Sequence, residues 1–151
     1  MDDLDISSTL LSKLYHFGKL IDTTLNIELA PFGLSAAQWG VLAQVRDQPG
    51  IAGASIARAA EVSPAAITTM LQRLEHAGLV ERRALPQGRI VETYLTPAGQ
   101  AIVQEADLAV ARVEGRVQAA FHSSETQRLF EDLQRVAAVL GPKTNASTKT
   151  S

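Results

Sequence analysis

Apolar side chains recur at three- and four-residue steps along most of the chain, and this spacing predicts amphipathic helices. The first helix is expected over residues 6–30, because Pro31 and the glycine that soon follows end the pattern. A second helix begins after Ser35, which offers an N-cap, and ends before Pro49-Gly50. The alanine-rich segment Ser55–Ala60 has the length of about two helical turns.

The next helix, Ser63–Ala77, has the clearest start of all. Ser63 offers a cap, proline occupies the first helical position, and Gly78 is placed to end the helix. The turn Glu61-Val62-Ser63 joins it to Ser55–Ala60, which predicts a helix–turn–helix in which the glycine often found at Glu61 is missing. Ala57 offers the small side chain that close helix packing needs. The side chains expected to fill the core beneath are Ile56, Val62, Ile67 and Leu71.

The periodicity then changes to that of strands. Residues 79–83 and 90–95 are predicted strands, and residues 85–88 contain the proline and glycine of a hairpin turn. Thr96-Pro97 starts a helix of about 25 residues, which spans nearly 40 Å. Ser123 or Ser124 is expected to cap a last helix, which ends at Leu140.

The long terminal helices carry apolar stripes that the middle of the chain is too small to cover. Helices from a second copy are the simplest partners, which predicts a two-fold homodimer. A monomeric helical bundle is the alternative.

Composition narrows the class of protein. The 151 residues include no cysteine, which excludes disulfides, thiolate metal sites and thiol redox chemistry. The net charge is −2, yet residues 53–90 carry five arginines against three acidic side chains. No apolar run reaches the ~18 residues of a membrane span, and Met1-Asp2-Asp3 is no basic leader. We therefore expect a cytoplasmic protein without a membrane partner.

The helix Ser63–Ala77 has a face suited to reading double-stranded DNA. At about 100° per residue, Ile67, Leu71 and Leu74 point inward. The opposite side is small and polar, with Ala65, Thr68, Thr69, Gln72 and His76 outward and Arg73 on the flank. Glutamine can pair with adenine and a threonine methyl group can meet thymine in a major groove, and free N–H groups at Ala65 and Ala66 favour a phosphate. An ordinary solvated helix face is the alternative.

The hairpin adds arginines, with Arg82 and Arg83 on its first strand and Arg89 at its tip. A projecting arginine can enter a narrow minor groove, although any one of these could be a solvated surface residue. A helix–turn–helix followed at once by such a hairpin is a winged helix, so the predicted fold is mainly α with a small β-hairpin wing. The predicted DNA-binding residues are Ser63, Pro64, Ala65, Thr68, Thr69, Gln72, Arg73, Arg82 and Arg89. The predicted parts are an N-terminal dimerisation helix (1–32), a winged helix-turn-helix DNA-binding domain (33–96), C-terminal dimerisation helices (97–141) and a disordered tail (142–151).

Four segments within residues 6–140 together resemble the MarR family of bacterial transcription regulators. They are Gly33-Leu34-Ser35-Ala36-Ala37-Gln38-Trp39, Ser63-Pro64-Ala65-Ala66-Ile67-Thr68, Leu74-Glu75-His76-Ala77-Gly78-Leu79-Val80-Glu81-Arg82 and Leu95-Thr96-Pro97-Ala98-Gly99. The resemblance implies a homodimer joined through its first, fifth and sixth helices. It also implies a recognition helix for each half of a pseudo-palindromic operator, and repression relieved by a small ligand. Arg89 matches the family's wing arginine, while Gln87 replaces the usual aspartate and Thr69 a frequent basic residue.

The resemblance further implies a ligand pocket between the long helices and the winged domain. Tyr15, His16 and Trp39 are the candidate lining residues, with Phe32 as a further candidate. An aromatic or phenolic acid can stack on Trp39 and accept a hydrogen bond from His16. The alternative is that Trp39 and Tyr15 are core residues.

Nothing in the sequence indicates an enzyme. The three histidines lack metal-ligand spacing, and there is no cysteine nucleophile, phosphate-binding loop or dinucleotide motif. We therefore expect neither a metal nor a cofactor. A winged-helix module that contacts only protein, such as an antirepressor or adaptor, is the alternative to a DNA-binding regulator.

Overall fold

The computed structural model describes residues 9–141, which form a mainly helical chain with a small antiparallel sheet. The elements in chain order are α1 (Leu10–Leu29), α2 (Ala36–Asp47), β1 (Ile51–Ala52), α3 (Gly53–Ala60), α4 (Pro64–His76), β2 (Val80–Ala84), β3 (Val91–Leu95), α5 (Pro97–Gln118) and α6 (Ser123–Leu140), with a 3₁₀ turn at Ala30–Phe32. The predicted fold class is confirmed. The predicted tail, 142–151, and the start of the predicted first helix lie outside the described residues.

Helices α2 and α4 begin where the sequence predicts because each has a capping side chain. Ser35 Oγ accepts a hydrogen bond from the Gln38 N–H at 3.1 Å, and the Gln38 side chain accepts one from the Ser35 N–H at 2.9 Å. Ser63 Oγ accepts from the Ala66 N–H at 3.2 Å, with Pro64 at the first position of α4. The Ala66 N–H, predicted to be free for a phosphate, is therefore already bonded.

The turn between α3 and α4 shows how the chain manages without the usual glycine, and it differs from the prediction at Val62. Glu61 has φ 54°, the left-handed conformation that glycine usually supplies, so the glutamate takes the backbone shape of the missing glycine. The predicted place of Val62 in the core is wrong, because its side chain is 45% exposed. The Val62 N–H bonds back to the Ala57 carbonyl at 3.1 Å, and the turn leaves the side chain on its outer side.

The sheet contains one strand that the sequence did not predict. β1 pairs with β3 at Ile51↔Thr93, while β2 pairs with β3 from Val80↔Leu95 onward, which gives the order β1-β3-β2. The Gly50 N–H donates to the Thr93 carbonyl at 2.8 Å and begins this extra pairing. A strand of two residues carries no periodicity of its own.

A single hydrophobic core joins the helix–turn–helix to α2 and α5. Its buried members are Leu29, Leu34, Val41, Leu42, Val45, Ile56, Ala57, Ile67, Leu71, Leu74, Val80, Val103 and Ala106. Trp39 is not one of the buried members, but its side chain is partly buried and packs against this core. Asn26 Oδ1 accepts a hydrogen bond from the Ala36 N–H at 2.8 Å and thereby ties α1 to the start of α2.

The described chain divides into two compact units, with the boundary after Val113. In the second unit, α6 begins after His122 and not after a capping serine as predicted, because the His122 N–H donates to the Glu125 carboxylate at 2.8 Å. This unit exposes large apolar side chains on α6, namely Leu129, Phe130, Leu133, Val139 and Leu140.

Helix α1, in the first unit, is likewise unusually apolar on its surface. The large exposed side chains are Leu10, Leu11, Tyr15, Phe17, Leu20, Ile21 and Ile27. Tyr15 is 70% exposed, so the interpretation of this residue as part of the core is wrong. Within residues 9–141, no helix combines the length and apolarity needed to cross a membrane.

Candidate nucleic-acid interface

Helix α4 presents the face that the sequence predicts. Ile67, Leu71 and Leu74 are at most 2% exposed, and they fix the rotation of the helix against the core. The predicted outward residues are all exposed, namely Ala65, Thr68, Thr69, Gln72 and His76. The other predicted DNA-binding residues of this segment, Ser63, Pro64 and Arg73, are exposed as well. The first acidic side chain on α4 is Glu75, near its carboxyl end, so most of this face carries no negative charge.

Hydrogen bonds within α4 determine what its threonines can offer to a base. Thr68 Oγ1 donates to the Pro64 carbonyl at 2.9 Å, and Thr69 Oγ1 donates to the Ala65 carbonyl at 3.1 Å. Each hydroxyl hydrogen is therefore used inside the helix. What remains for a ligand is a methyl group and an oxygen lone pair, which suits contact with a thymine methyl group.

Two of the predicted arginines are exposed without an ion-pair partner among residues 9–141. Arg73 lies on the flank of α4, and Arg89 lies in the turn between β2 and β3. Gly88, beside Arg89, has φ 103°, so the turn uses a conformation that favours glycine. Gln87 is exposed as well, and in the described chain it makes no hydrogen bond that would orient Arg89.

The other two wing arginines lie on opposite faces of β2. Arg82 is half-buried across from Thr93 on β3, and its Nε is buried without an acceptor among the described residues. Arg83 donates to both carboxylate oxygens of Glu81, at 2.9 and 3.2 Å, and its guanidinium carbon lies 4.6 Å from the centre of the Tyr94 ring. Arg83 is thus occupied by neighbours on its own hairpin.

The same contacts change how the outer face of the wing titrates. The hydrogen bond from Arg83 lowers the pKa of Glu81, and Glu81 in turn raises the pKa of Arg83. Tyr94 Oη donates to Glu92 at 2.8 Å, and this bond raises the pKa of Tyr94. The charge of Arg83 is compensated locally, whereas the charges of Arg73 and Arg89 are not.

Of the three candidate ligand-binding residues, His16 lies in a groove on the surface of α1. His16 lines a shallow groove along α1 with Ser12, Lys13 and Phe17, and this groove includes neither Tyr15 nor Trp39. The His16 and Phe17 rings are 6.2 Å apart between centres and tilted by 60°.

Trp39 instead belongs to a polar cluster that sequence reasoning missed. Its indole N–H donates to Asp107 of α5 at 2.9 Å, and Arg46 of α2 pairs with the other oxygen of the same carboxylate. Arg46 also donates to Asp47 at 2.8 Å, which lowers the pKa of Asp47 and raises that of Arg46. Trp39 and Asp107 are 68 positions apart in sequence, and no local pattern could have linked them.

The described residues contain no cluster of His, Asp or Glu side chains able to hold a metal ion. The chemistry gathered at the surface is therefore that of an uncharged polar helix face with unpaired guanidinium groups nearby. Such a surface can bind phosphates and base edges.

Comparison with known proteins gives one consistent family. The family model described as "MarR family" matches residues 34–89. The HTH-type transcriptional repressor Rv2887 of Mycobacterium tuberculosis is 34% identical over 124 residues, which cover 80% of this chain and 89% of the relative. The multiple antibiotic resistance protein MarR of Escherichia coli is 34% identical over 107 residues, covering 66% of this chain and 74% of the relative.

Solved structures agree with these relatives. A mutant MarR from E. coli, complexed with operator DNA, has a TM-score of 0.80 at 30% identity and covers 89% of this chain and 98% of its own. The M. tuberculosis protein Rv2887 in complex with salicylic acid has a TM-score of 0.66 at 30% identity, with the same coverage of 89% and 98%. The named relatives are transcriptional regulators, which confirms the interpretation of this chain as a regulator and not an enzyme.

Proposed function

This chain belongs to the MarR family of transcriptional regulators, and we propose that it is a homodimeric repressor that binds a pseudo-palindromic operator. The observation that carries the proposal is the exposed, largely acid-free face of α4 beside two unpaired arginines, Arg73 and Arg89. A relative of 30% identity was solved with operator DNA, which supports the same use of this surface. The proposed place of action is the cytoplasm. The proposed parts of the chain are a dimerisation helix (1–32), a DNA-binding domain (33–96), further dimerisation helices (97–141) and a C-terminal tail (142–151).

In the proposed complex, α4 lies in the major groove with its amino-terminal half toward the bases. Gln72 offers the amide that pairs with adenine, and the Thr68 and Thr69 methyl groups meet thymine. The small side chains of Ser63, Pro64 and Ala65 allow the start of the helix to approach the phosphate backbone, where the helix dipole favours negative charge.

The proposed role of the wing is to contact the adjacent minor groove through Arg89. This arginine has no competing carboxylate among the described residues, and a minor groove of narrow width concentrates negative potential. Arg82 is half-buried and its Nε is buried, so its terminal nitrogens are the atoms left to contact DNA. We propose that these nitrogens bind a phosphate. Arg73 is proposed as a further phosphate contact from the flank of α4.

Dimerisation is proposed to use the exposed apolar residues of α1 and α6, together with α5. Two copies related by a two-fold axis would aim their α4 helices at half-sites whose centres lie about 10 base pairs apart. Each half-site would then be read by an identical surface.

We further propose that a small aromatic or phenolic acid relieves repression, with Tyr15, His16 and Trp39 near the bound ligand. Salicylic acid is the ligand in the related Rv2887 structure. The chain has a single tryptophan, so intrinsic fluorescence reports on Trp39 alone. Titration with salicylic acid should change this fluorescence and release bound DNA, whereas cyclohexanecarboxylic acid, which lacks the aromatic ring, should do neither.

The test of DNA binding begins with duplexes that the wild-type protein selects from a random-sequence library, together with DNA upstream of its own gene. If the dimer neutralises about six phosphates, its affinity should fall roughly a thousandfold between 50 and 200 mM salt. Arg89→Ala should weaken binding by about tenfold. Gln72→Ala should alter base preference more than the salt dependence, and Arg82→Ala should do the reverse.

A matched control removes a wing arginine together with the carboxylate that pairs with it. The double variant Glu81→Gln/Arg83→Gln leaves the net charge unchanged and should alter affinity by less than about twofold, because that pair is exposed and compensated. A protein that selects no duplex at low salt would contradict the proposal. If it binds a protein partner equally well with and without Arg73 and Arg89, the adaptor function is the correct one.

A further inference from the structure

The first turn of α5 is bonded directly to the residues that follow the recognition helix α4. The Thr96 N–H donates to the Leu79 carbonyl at 3.1 Å, and Thr96 Oγ1 donates to the Gly78 carbonyl at 2.6 Å. The same oxygen accepts a hydrogen bond from the Gly99 N–H at 3.0 Å. One hydroxyl group therefore caps α5 and holds the exit of α4 at the same time.

Gly99 makes this junction too close for any side chain. A Cβ at this position would lie 2.0 Å from the Leu79 carbonyl oxygen and 2.9 Å from its carbonyl carbon. Both atoms belong to the backbone, so they cannot turn aside as the end of a side chain could. Space, and not backbone conformation, is what requires glycine here.

The residues on the other side of the junction are those that end α4. Gly78 has φ 74°, and its N–H donates to the Glu75 carbonyl at 2.9 Å, while the Leu79 N–H donates to the Leu74 carbonyl at 2.9 Å. The hairpin leaves from this point and returns to it, since Val80 pairs with Leu95. The first turn of α5 is thus bonded to Gly78 and Leu79, the residues that directly follow the cap of α4.

We propose that Thr96 and Gly99 are positioning residues for operator binding, which hold the recognition helix at a fixed place relative to α5. The inference rests on the proposed function, in which α5 belongs to the dimer interface. One added base pair displaces a half-site by about 3.4 Å and rotates it by about 35°. A DNA-binding domain that is bonded to α5 in this way resists the shift and rotation that a different spacing requires. The junction therefore makes the dimer selective for one half-site spacing.

The test compares operators that differ only in spacing. Wild-type protein selects palindromic duplexes from a random library, and its affinity is then measured for the selected spacing and for variants with one base pair inserted or removed. The wild type should bind the altered spacings about tenfold more weakly. Thr96→Val, which removes the hydroxyl, should lose about fivefold at the selected spacing and should discriminate less than about threefold among the three duplexes.

Three further variants separate positioning from stability alone. Thr96→Ser keeps the hydroxyl and should restore the spacing preference. Ser35→Ala removes a comparable helix cap at the start of α2, away from the junction, and should lower Tm while keeping the preference. Gly99→Ala should shift or abolish the spacing preference. If Gly99→Ala does not fold, the result for Thr96→Val alone tests the positioning role.

The outcomes distinguish the two proposals. A wild-type protein that selects no duplex overturns both of them. A wild type with a sharp spacing preference that Thr96→Val retains, at whatever Tm, overturns the positioning role alone.

Discussion

Glu61 adopts a backbone conformation that residues with a side chain seldom take. Glu61 has a φ of 54° and caps the end of α3, where its N–H donates to the Ala57 and Arg58 carbonyls. An L-residue in this region costs about 1–2 kcal/mol relative to an ordinary conformation, and glycine avoids most of that cost. We expect Glu61→Gly to raise the free energy of unfolding by about 1 kcal/mol, measured by urea denaturation.

The control for this prediction is Glu61→Ala. Alanine removes the same carboxylate but keeps a Cβ, so any effect of charge is common to both variants and only the glycine should stabilise. Equal unfolding free energies for the two variants would show that the left-handed conformation carries no cost here.

The ion pair on the outer face of the wing predicts a pH dependence of stability. Arg83 lowers the pKa of Glu81 below its usual value of 4.5. A carboxyl group whose pKa is lowered by folding adds stability above its unfolded pKa, and that stability is lost as the pH falls through the folded pKa. The Tm difference between wild type and Glu81→Gln should therefore be present at pH 7 and vanish progressively below about pH 4.5. The difference is expected to be small, because both side chains are exposed.

The control repeats the comparison in an Arg83→Gln background. Without the Arg83 guanidinium to lower the pKa of Glu81, the Tm difference caused by Glu81→Gln should lose this dependence on pH. A difference for Glu81→Gln that stays constant from pH 7 to pH 3 would exclude the pairing as its cause.

At the scale of elements, the proposed placement of α4 in the major groove predicts how its threonines act. The Thr68 hydroxyl hydrogen is bonded to the Pro64 carbonyl, so the methyl group is the part left for a thymine contact. Thr68→Val should keep operator affinity and base preference, whereas Thr68→Ser should lose on the order of fourfold, the value of one buried methyl group. Gel-shift titrations at constant salt measure both variants.

The opposite order, with serine active and valine weakened, would mean that α4 reads a base through the hydroxyl. Valine and serine differ in helix propensity, so unfolding curves for the two variants serve as the check that stability is not the cause.

The elements that the sequence predicts correctly are those whose ends are marked by local chemistry. The caps Ser35 and Ser63 with Pro64 fix the starts of α2 and α4, because each start depends on residues within one turn. β1 was missed because its two residues are defined only by pairing with β3. The start of α6 was misplaced because three neighbouring residues, His122 to Ser124, can all precede a helix.

The candidate site divides in the same way. The outward face of α4 follows from helical periodicity, so sequence and structure agree on it. The partners of Arg83 and Trp39 depend on register and on contacts across many residues, and these could not be read from spacing. That Arg89 is unpaired while Arg83 is compensated is therefore information that only the fold supplies.

At the scale of the whole molecule, the distribution of charge matters more than its sum. The chain carries a net charge of −2, which disfavours general attraction to nucleic acid. Arg83 is paired with Glu81, whereas the bond from Arg58 to the neutral Ser55 hydroxyl leaves the charge of Arg58 uncompensated. The free positive charge near α4 therefore comes from a small number of arginines. Because each DNA-binding domain contributes few charges, two domains must bind the same duplex to give tight binding. Dimerisation is therefore a condition of the proposed function.

The last prediction concerns that dimer. Phe17 is 60% exposed on α1 and lies outside the core, so Phe17→Glu should leave the fold intact while placing a charge in the proposed interface. We expect a shift from dimer to monomer in sedimentation velocity and a loss of operator affinity. Lys19→Gln is the matched control, because it makes the same change in net charge about 200° around the helix and should stay dimeric. A Phe17→Glu protein that remains a dimer and binds DNA normally would remove α1 from the interface, and a wild type that is monomeric at micromolar concentration would refute the dimer itself.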